Sequence, residues 1–168
     1  MNGYSYCVPP TTREKARATT RLFLKILSPV DFDENSLAAL EYTAQFAQQY
    51  DVTVYLLHVV PTAEIHLHRA GYHPEGGGGA DVAWAEKVAK EQLRKIARER
   101  LSGGIRYEIL TRVGDTSTVI LETAEAVGAE LIVMATHERT ESSHSFLGSV
   151  AERVVHEASC PVLTIRRR

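Results

Sequence analysis

The chain has 168 residues, a formal net charge of -2 at pH 7 and 44% hydrophobic residues. This length suits one domain with a substantial core and is short for two. The charge balance lacks the basic excess typical of nucleic-acid binding, no stretch approaches the ~20 apolar residues of a transmembrane helix, and the amino terminus has no signal-peptide pattern. We therefore expect a single-domain cytoplasmic protein that binds neither nucleic acid nor a membrane.

The domain is predicted to occupy residues 22–168. Residues 1–21 mix proline, threonine and charged side chains without a sustained period, which predicts a flexible extension. A segment rich in histidine and glycine is predicted as an insertion at 61–80, because its run of consecutive glycines sustains neither a helix nor a packed strand. Cys7 and Cys160 have no CxxC spacing and are predicted to be reduced, unpaired thiols.

Apolar runs and helical periods alternate along the chain after residue 21. Runs typical of strands buried in a parallel sheet lie at 22–30, 52–60, 105–113, 131–135 and 162–166. Amphipathic helical patterns lie between them at 36–50, 80–101, 117–128 and 149–158. Asp33 or Asn35 is predicted to cap the first helix, Asp115 or Thr116 is predicted to cap the third, and Gly128 is predicted to end it.

This alternation predicts an α/β fold, a doubly wound open parallel five-stranded sheet of order 3-2-1-4-5 with helices on both faces. In such a sheet a ligand crevice lies beyond the carboxyl ends of the first and fourth strands. In this chain those two ends are residues 29–31 and 135–137. The last strand is predicted to form an edge of the sheet, which proteins normally pair or cover.

Four segments carry a resemblance to a known family: ILSPVDFDENS, VYLLHVV, ELIVMATHER and LGSVAERVVHEASCPVLTIR. In this order they resemble the universal stress protein family over nearly the whole length after residue 21. The resemblance implies a homodimer that forms through the C-terminal strand. The alternative is that the N-terminal extension covers that edge.

Nucleotide-binding members of that family carry the pattern Gly, two residues, Gly, nine residues, Gly and Ser or Thr, which falls here on Ala135, Glu138, Gly148 and Ser149. Gly148 and Ser149 begin a predicted helix, whose unpaired first amides and positive dipole end favour an anion. The alternative is that Ser149 only caps the helix while Gly148 turns the chain.

Glu138 stands where the pattern has its second glycine, so it adds a Cβ and a carboxylate beside the phosphates. Two unit charges ~4 Å apart repel by about 4 kcal/mol at an effective dielectric near 20. Glu141 adds a second acid to the same loop. Three alternatives remain for Glu138: turning to solvent, pairing with Arg139, or binding a magnesium ion. We predict that ATP binding is weak or lost, and that AMP or adenosine can bind.

The resemblance also implies the residues around the adenosine. Asp31 would form a hydrogen bond with the adenine or the ribose, although an acid just after a strand can instead cap a helix. Val54 would pack on the base and Ala135 would form the opposite wall. The full candidate set is Pro29, Val30, Asp31, Val54, Ala135, Thr136, His137, Glu138, Gly148, Ser149 and Val150.

The histidines of the predicted insertion, His66, His68 and His73, are weak candidates for metal ligands, because their spacing fits no established zinc pattern. No metal site is therefore predicted. His58, within an apolar run, is predicted to be a buried side chain with a satisfied hydrogen bond.

The sequence gives no indication of an enzyme, because it lacks the GxSxG motif of hydrolases, the GxxxxGK[ST] motif of P-loop proteins and the GxGxxG motif of dinucleotide-binding proteins. The leading interpretation is a regulatory or protective binding module with unknown protein partners, a degenerate nucleotide site and no required cofactor. Two alternatives stay open. One is a functional ATP-binding stress protein, which would use Mg²⁺ with ATP and at most hydrolyse it slowly or phosphorylate itself. The other is a metal-responsive protein using the histidine loop.

Overall fold

The structure of the protein, a computed structural model, describes residues 25–62, 82–136 and 147–166. The described elements alternate in chain order as β1 (Lys25–Pro29), α1 (Glu34–Gln49), β2 (Thr53–Pro61), α2 (Val82–Arg100), β3 (Arg106–Gly114), α3 (Thr116–Val127), β4 (Leu131–Ala135), α4 (Ser149–Glu157) and β5 (Val162–Ile165). The predicted alternation is confirmed. The predicted extension at 1–21 and most of the predicted insertion lie outside the described residues. Pro61, predicted to begin that insertion, ends β2 and pairs with Gly114.

The five strands form one parallel sheet of order β3-β2-β1-β4-β5, as predicted. In the centre of the sheet, Pro29 at the end of β1 lies opposite Leu57 of β2. β5 forms the edge beside β4, and its side chains are half-buried. The pairing of this edge with a second copy of the chain stays a prediction.

Each face of the sheet carries its own core, because successive residues of a strand point to opposite faces. Ile26, Val54 and Leu56 belong to the core that packs against α1 and α2. Leu27 and Leu57 belong to the core that packs against α3 and α4. This division by residue parity decides which strand side chains can reach a ligand on either face.

Local chemistry sets the helix ends. Asp33 is the N-cap of α1, and its Oδ1 accepts the Ser36 N–H at 2.7 Å. Asp115 is the N-cap of α3, where its Oδ1 accepts the Thr118 N–H at 3.0 Å. Of the predicted alternatives, the structure thus selects these two aspartates. Gly128 ends α3 in the left-handed conformation with φ 64°, which glycine adopts without a Cβ penalty.

The outer surface of the α1 and α2 layer is polar, apart from a few exposed rings. Arg100 of α2 forms an ion pair with Glu41 of α1. Trp84, near the start of α2, has 57% of its surface exposed. None of the helices in the described ranges combines the length and the apolar character needed to cross a membrane.

Gly114 lies where β3 turns into α3, and the backbone there passes close to the first turn of the helix. A Cβ added at Gly114 would lie 2.7 Å from Cγ2 of Val119. A valine side chain in a packed core yields little, and the φ of 156° at Gly114 is one that residues with a side chain rarely adopt. We therefore expect Gly114→Ala to lower the free energy of unfolding by about 1–3 kcal/mol, part of it from the contact with Val119. Urea denaturation measures this loss.

Val119→Ala provides the control for Gly114→Ala, because it removes the methyl group that the new Cβ meets. The double variant should lose less free energy of unfolding than the two single variants lose in sum. Strict additivity of the two losses would show that this contact does not carry the effect.

Candidate functional site

A cavity of about 210 Å³ opens at the carboxyl ends of β1, β2 and β4, on the sheet face that carries α3 and α4. A single water molecule needs only about 10–15 Å³ of such space, so the cavity has room for a ligand the size of an aromatic ring. Its lining consists of Pro29, Val30, Asp31, Ser36, Leu57, Val59, Thr116, Ile120, Met134, Ala135, Gly148, Ser149, Val150 and Ala151. The cavity lies at the strand ends where the sequence predicted a ligand crevice.

The inner part of the cavity is apolar. Leu57 and Val59 of β2 lie there with Ile120 of α3 and Met134 of β4, all of them buried. These four residues belong to the core shared with α3 and α4. The sheet-facing side of the cavity is therefore a continuation of the hydrophobic core and suits the flat apolar face of an aromatic ring.

The turn between β1 and α1 forms a polar side of the cavity. The Asp31 N–H donates to Ser36 Oγ at 3.3 Å, and Asp31 Oδ1 accepts the Asp33 N–H at 3.2 Å. Asp33, and not Asp31, is the N-cap of α1. The alternative role of Asp31 as the helix cap is therefore wrong, although its carboxylate supports the turn that leads into the helix.

Phe32 fixes this turn from the opposite side of the sheet. Its φ is 69°, unusual for a residue with a side chain. The ring stacks on His58 with centroids 4.2 Å apart. His58 Nδ1 lies 2.7 Å from the Val30 carbonyl oxygen; since a carbonyl only accepts, this nitrogen carries the proton. The predicted hydrogen bond of His58 is confirmed, but the prediction that its side chain is buried is wrong, because the side chain is only half-buried. This hydrogen bond holds the backbone beside the cavity.

The start of α4 forms the other polar side of the cavity. Gly148 is the N-cap, with φ 22° and ψ 150°, and no side chain of the described residues caps this helix with a hydrogen bond. The first intrahelical bond runs from the Glu152 N–H to the Gly148 carbonyl oxygen at 2.9 Å. The interpretation that Ser149 caps the helix is therefore wrong, because Ser149 is the first residue inside it. The backbone N–H groups of the first turn of α4 form the positive end of the helix dipole, and the carboxylate of Glu152 lies in the same turn.

The start of α3 differs, because its own carboxylate caps it. The Thr118 hydroxyl and N–H and the Ser117 hydroxyl donate to Asp115, and with a smaller contribution from the charge of Arg153 they lower the pKa of Asp115 to about 2. Asp115 is therefore ionised at neutral pH. Thr116, next to it, lines the cavity. Three helices begin at the cavity, namely α1, α3 and α4. Asp33 and Asp115 cap the first two, whereas among the described residues no side chain caps α4, so α4 is the one whose start suits an anionic group.

Seven of the predicted site residues line this one cavity: Pro29, Val30, Asp31, Ala135, Gly148, Ser149 and Val150. Thr136 does not line it; this buried residue donates its N–H to the Ile165 carbonyl oxygen at 3.0 Å. His137 and Glu138 lie outside the described residues, and so do His66, His68 and His73. Within the described ranges, no group of three or more His, Cys, Asp or Glu side chains could hold a metal ion.

The placement predicted for Val54 is wrong. Val54 is fully buried in the core against α1 and α2, and it pairs with Ile26 near the amino end of β1. It therefore lies on the opposite face from the cavity. Leu57 and Val59, which have the other parity and lie nearer the carboxyl end of β2, occupy the position that Val54 was expected to fill.

Sequence reasoning missed seven lining residues: Ser36, Leu57, Val59, Thr116, Ile120, Met134 and Ala151. Leu57 and Val59 could have been predicted from the sequence, because the carboxyl ends of neighbouring parallel strands lie at one edge of a sheet. No sequence pattern indicated Thr116 and Ile120, since only the packing of α3 on the sheet brings them to the cavity.

The family model described as "Universal stress protein family" matches residues 23–166. Universal stress protein MJ0531 of Methanocaldococcus jannaschii is 32% identical over 146 residues, which cover 87% of this chain and 84% of that protein. The solved structure of MJ0577 superimposes with a TM-score of 0.70 at 29% identity, covering 88% and 98% of the two chains. The universal stress protein of Archaeoglobus fulgidus in complex with dAMP has a TM-score of 0.58 at 24% identity, covering 86% and 98%.

Proposed function

The chain belongs to the universal stress protein family, and from this premise and the geometry of the cavity we propose that it binds adenosine or AMP and disfavours ATP. The observation that carries the proposal is the apolar cavity that ends at the start of α4, where the N-cap Gly148 has no side chain. An apolar wall suits a base, and the amide end of a helix suits one phosphate. The dAMP of the Archaeoglobus fulgidus protein belongs to this ligand class.

Two sides of the cavity would contact different parts of the nucleoside. The Ile120 and Met134 side offers only apolar surface and would pack on the base. The Asp31 side offers a carboxylate that can accept hydrogen bonds from the ribose hydroxyls or the adenine amino group. The start of α4 would then receive the 5′ phosphate, since Gly148 and Ser149 line the same cavity.

The preference against ATP rests on the sequence of the loop between β4 and α4. Glu138 follows three residues after Ala135, where the family pattern has glycine, and Glu141 adds a second acid. One phosphate at the start of α4 would gain from the helix dipole, whereas the family pattern implies that further phosphates would pass the positions of these two acids. The proposed role is that of a regulatory or protective binding module with no catalytic step. It requires no cofactor, and Mg²⁺ enters only together with ATP.

Calorimetric titration of the wild-type protein with adenosine, AMP and ATP, with and without Mg²⁺, tests the proposal. We expect AMP to bind more tightly than adenosine by roughly twofold to thirtyfold, the range that a helix start contributes to a bound anion. We expect ATP to bind more weakly than AMP. GMP serves as the control for recognition of the base. Tight ATP binding would contradict the stated preference, and the absence of any adenosine or AMP binding would contradict the proposal as a whole.

A further inference from the structure

Arg153 joins α3 and α4, two of the three helices that begin at the cavity. Its Nη1 donates to Asp115 Oδ1 and to Ser117 Oγ, both at 3.0 Å. Its Nε donates to Glu157 Oε1 at 3.1 Å, one turn further along α4. The guanidinium therefore bridges the capped start of α3 and the body of α4.

We propose that Arg153 is a positioning residue that orients the start of α4 so that its free amides face the phosphate of the bound nucleotide. This inference rests on the proposed function and deepens it. Arg153 does not itself touch the nucleotide in this proposal. It acts through the helix that carries Gly148 and Ser149.

The need for such a bridge follows from how α4 is anchored. The helix has nine residues, too few to be stable without tertiary contacts. Its buried side chains are Ala151 and Val154, which pack into the core beneath it. Val150 of the same helix is half-buried and packs on this core as well. Apolar contacts carry no directional preference, so these three small side chains fix the position of α4 better than its rotation. A guanidinium with fixed donor directions supplies the missing orientation.

The acceptor of this bridge is itself rigid. Asp115 Oδ1 also accepts the Ser117 hydroxyl at 2.9 Å and the Thr118 hydroxyl at 2.7 Å. These donors hold the carboxylate at the start of α3, and Thr116 beside it lines the cavity. Arg153 thus connects α4 to a fixed point at the cavity rim, and a tilt of α4 away from that point would turn its amides away from the phosphate.

Titration of Arg153→Gln with AMP and adenosine tests the inference. We expect the ratio of AMP affinity to adenosine affinity to fall roughly fivefold, because a misdirected helix start affects only the ligand that carries a phosphate. A merely structural loss would weaken both ligands alike and leave the ratio unchanged. Arg153→Lys keeps the charge but not the fixed donor directions, so it should restore only part of the ratio.

Arg100→Gln is the matched control for Arg153→Gln. It removes another half-exposed arginine that pairs two helices, α1 and α2, away from the cavity. We expect this variant to keep the wild-type ratio. Glu157→Gln removes only the pair within α4 and should also keep it, which would assign the effect to the bridge with α3.

Amide hydrogen exchange of α4, measured by NMR without a ligand, separates failure of this inference from failure of the proposed function. The Glu152 N–H, which forms the first helical bond of α4, should exchange faster in Arg153→Gln than in wild type. Unchanged exchange, or an unchanged affinity ratio in a protein that binds AMP, overturns the role of Arg153 and leaves the proposed function standing. A wild-type protein that binds neither ligand overturns the proposed function, and with it the assignment of Arg153 to a phosphate site, whatever the exchange rates.

Discussion

Glycine in place of Glu138 is expected to raise the affinity of the protein for ATP by up to several hundredfold. The variant removes a carboxylate that would lie beside the phosphates, and about 4 kcal/mol of repulsion between unit charges ~4 Å apart corresponds to a factor of this size. Adenosine affinity should not change, because adenosine carries no phosphate charge. Calorimetric titration of both ligands, with Mg²⁺ present, measures the two effects together.

Glu138→Gln separates the two ways in which this glutamate acts. It removes the charge but keeps the Cβ, so it should recover most of the gain if repulsion dominates. If only the glycine variant gains ATP affinity, the restriction on the backbone is the cause. A wild-type protein that already binds ATP as tightly as Glu138→Gly would show that the side chain turns away from the phosphates or binds the magnesium ion.

Phenylalanine in place of Val59 is expected to lower the affinity for AMP and adenosine by roughly sixtyfold each. Val59 is 7% exposed and lines the inner, apolar part of the cavity. The phenyl ring would occupy the part of the cavity that is proposed to hold the base. Losing about 100 Å² of apolar contact costs about 2.5 kcal/mol at 25 cal/mol per Å². Titration with both ligands measures the loss, and thermal unfolding checks that the variant remains folded.

Val54→Ala is the counterpart of Val59→Phe. Val54 is fully buried on the opposite face of the sheet, so its truncation should lower stability and leave the affinity of the folded protein unchanged. If Val54→Ala weakened AMP binding while Val59→Phe did not, the base would contact the other side of the sheet, and the assignment of the cavity would be wrong.

The fold could be predicted almost completely because its signals are local. Strands buried in a parallel sheet are recognisable in the sequence as short apolar runs. The predicted limits of β4 therefore coincide with the observed Leu131–Ala135. The predicted strand order rested on the path assumed for the crossovers, with the fourth strand returning to the other side of the first. The choice between Asp33 and Asn35 as the helix cap was left open, since either side chain can accept the amide and only the backbone path decides.

The site could be predicted only where it follows the chain. The strand end at Pro29 and the helix start at Gly148 were both identified correctly as parts of one cavity. The error at Val54 arose because an almost uniformly apolar strand gives no alternation from which to read which side chains share a face. The bridge from Arg153 to Asp115 was missed for a different reason, since the two residues lie 38 positions apart in the sequence and meet only through helix packing.

The position of Trp84 has a consequence for optical measurements on this protein. Trp84 is the one tryptophan of the chain, and it projects from α2, in the layer that covers the sheet face opposite the cavity. Its emission therefore reports on the polarity around the outer surface of α2. A molecule docking on that surface would shift the indole spectrum, whereas a small ligand entering the cavity would leave the spectrum unchanged. Intrinsic fluorescence thus distinguishes events on the two sides of the sheet.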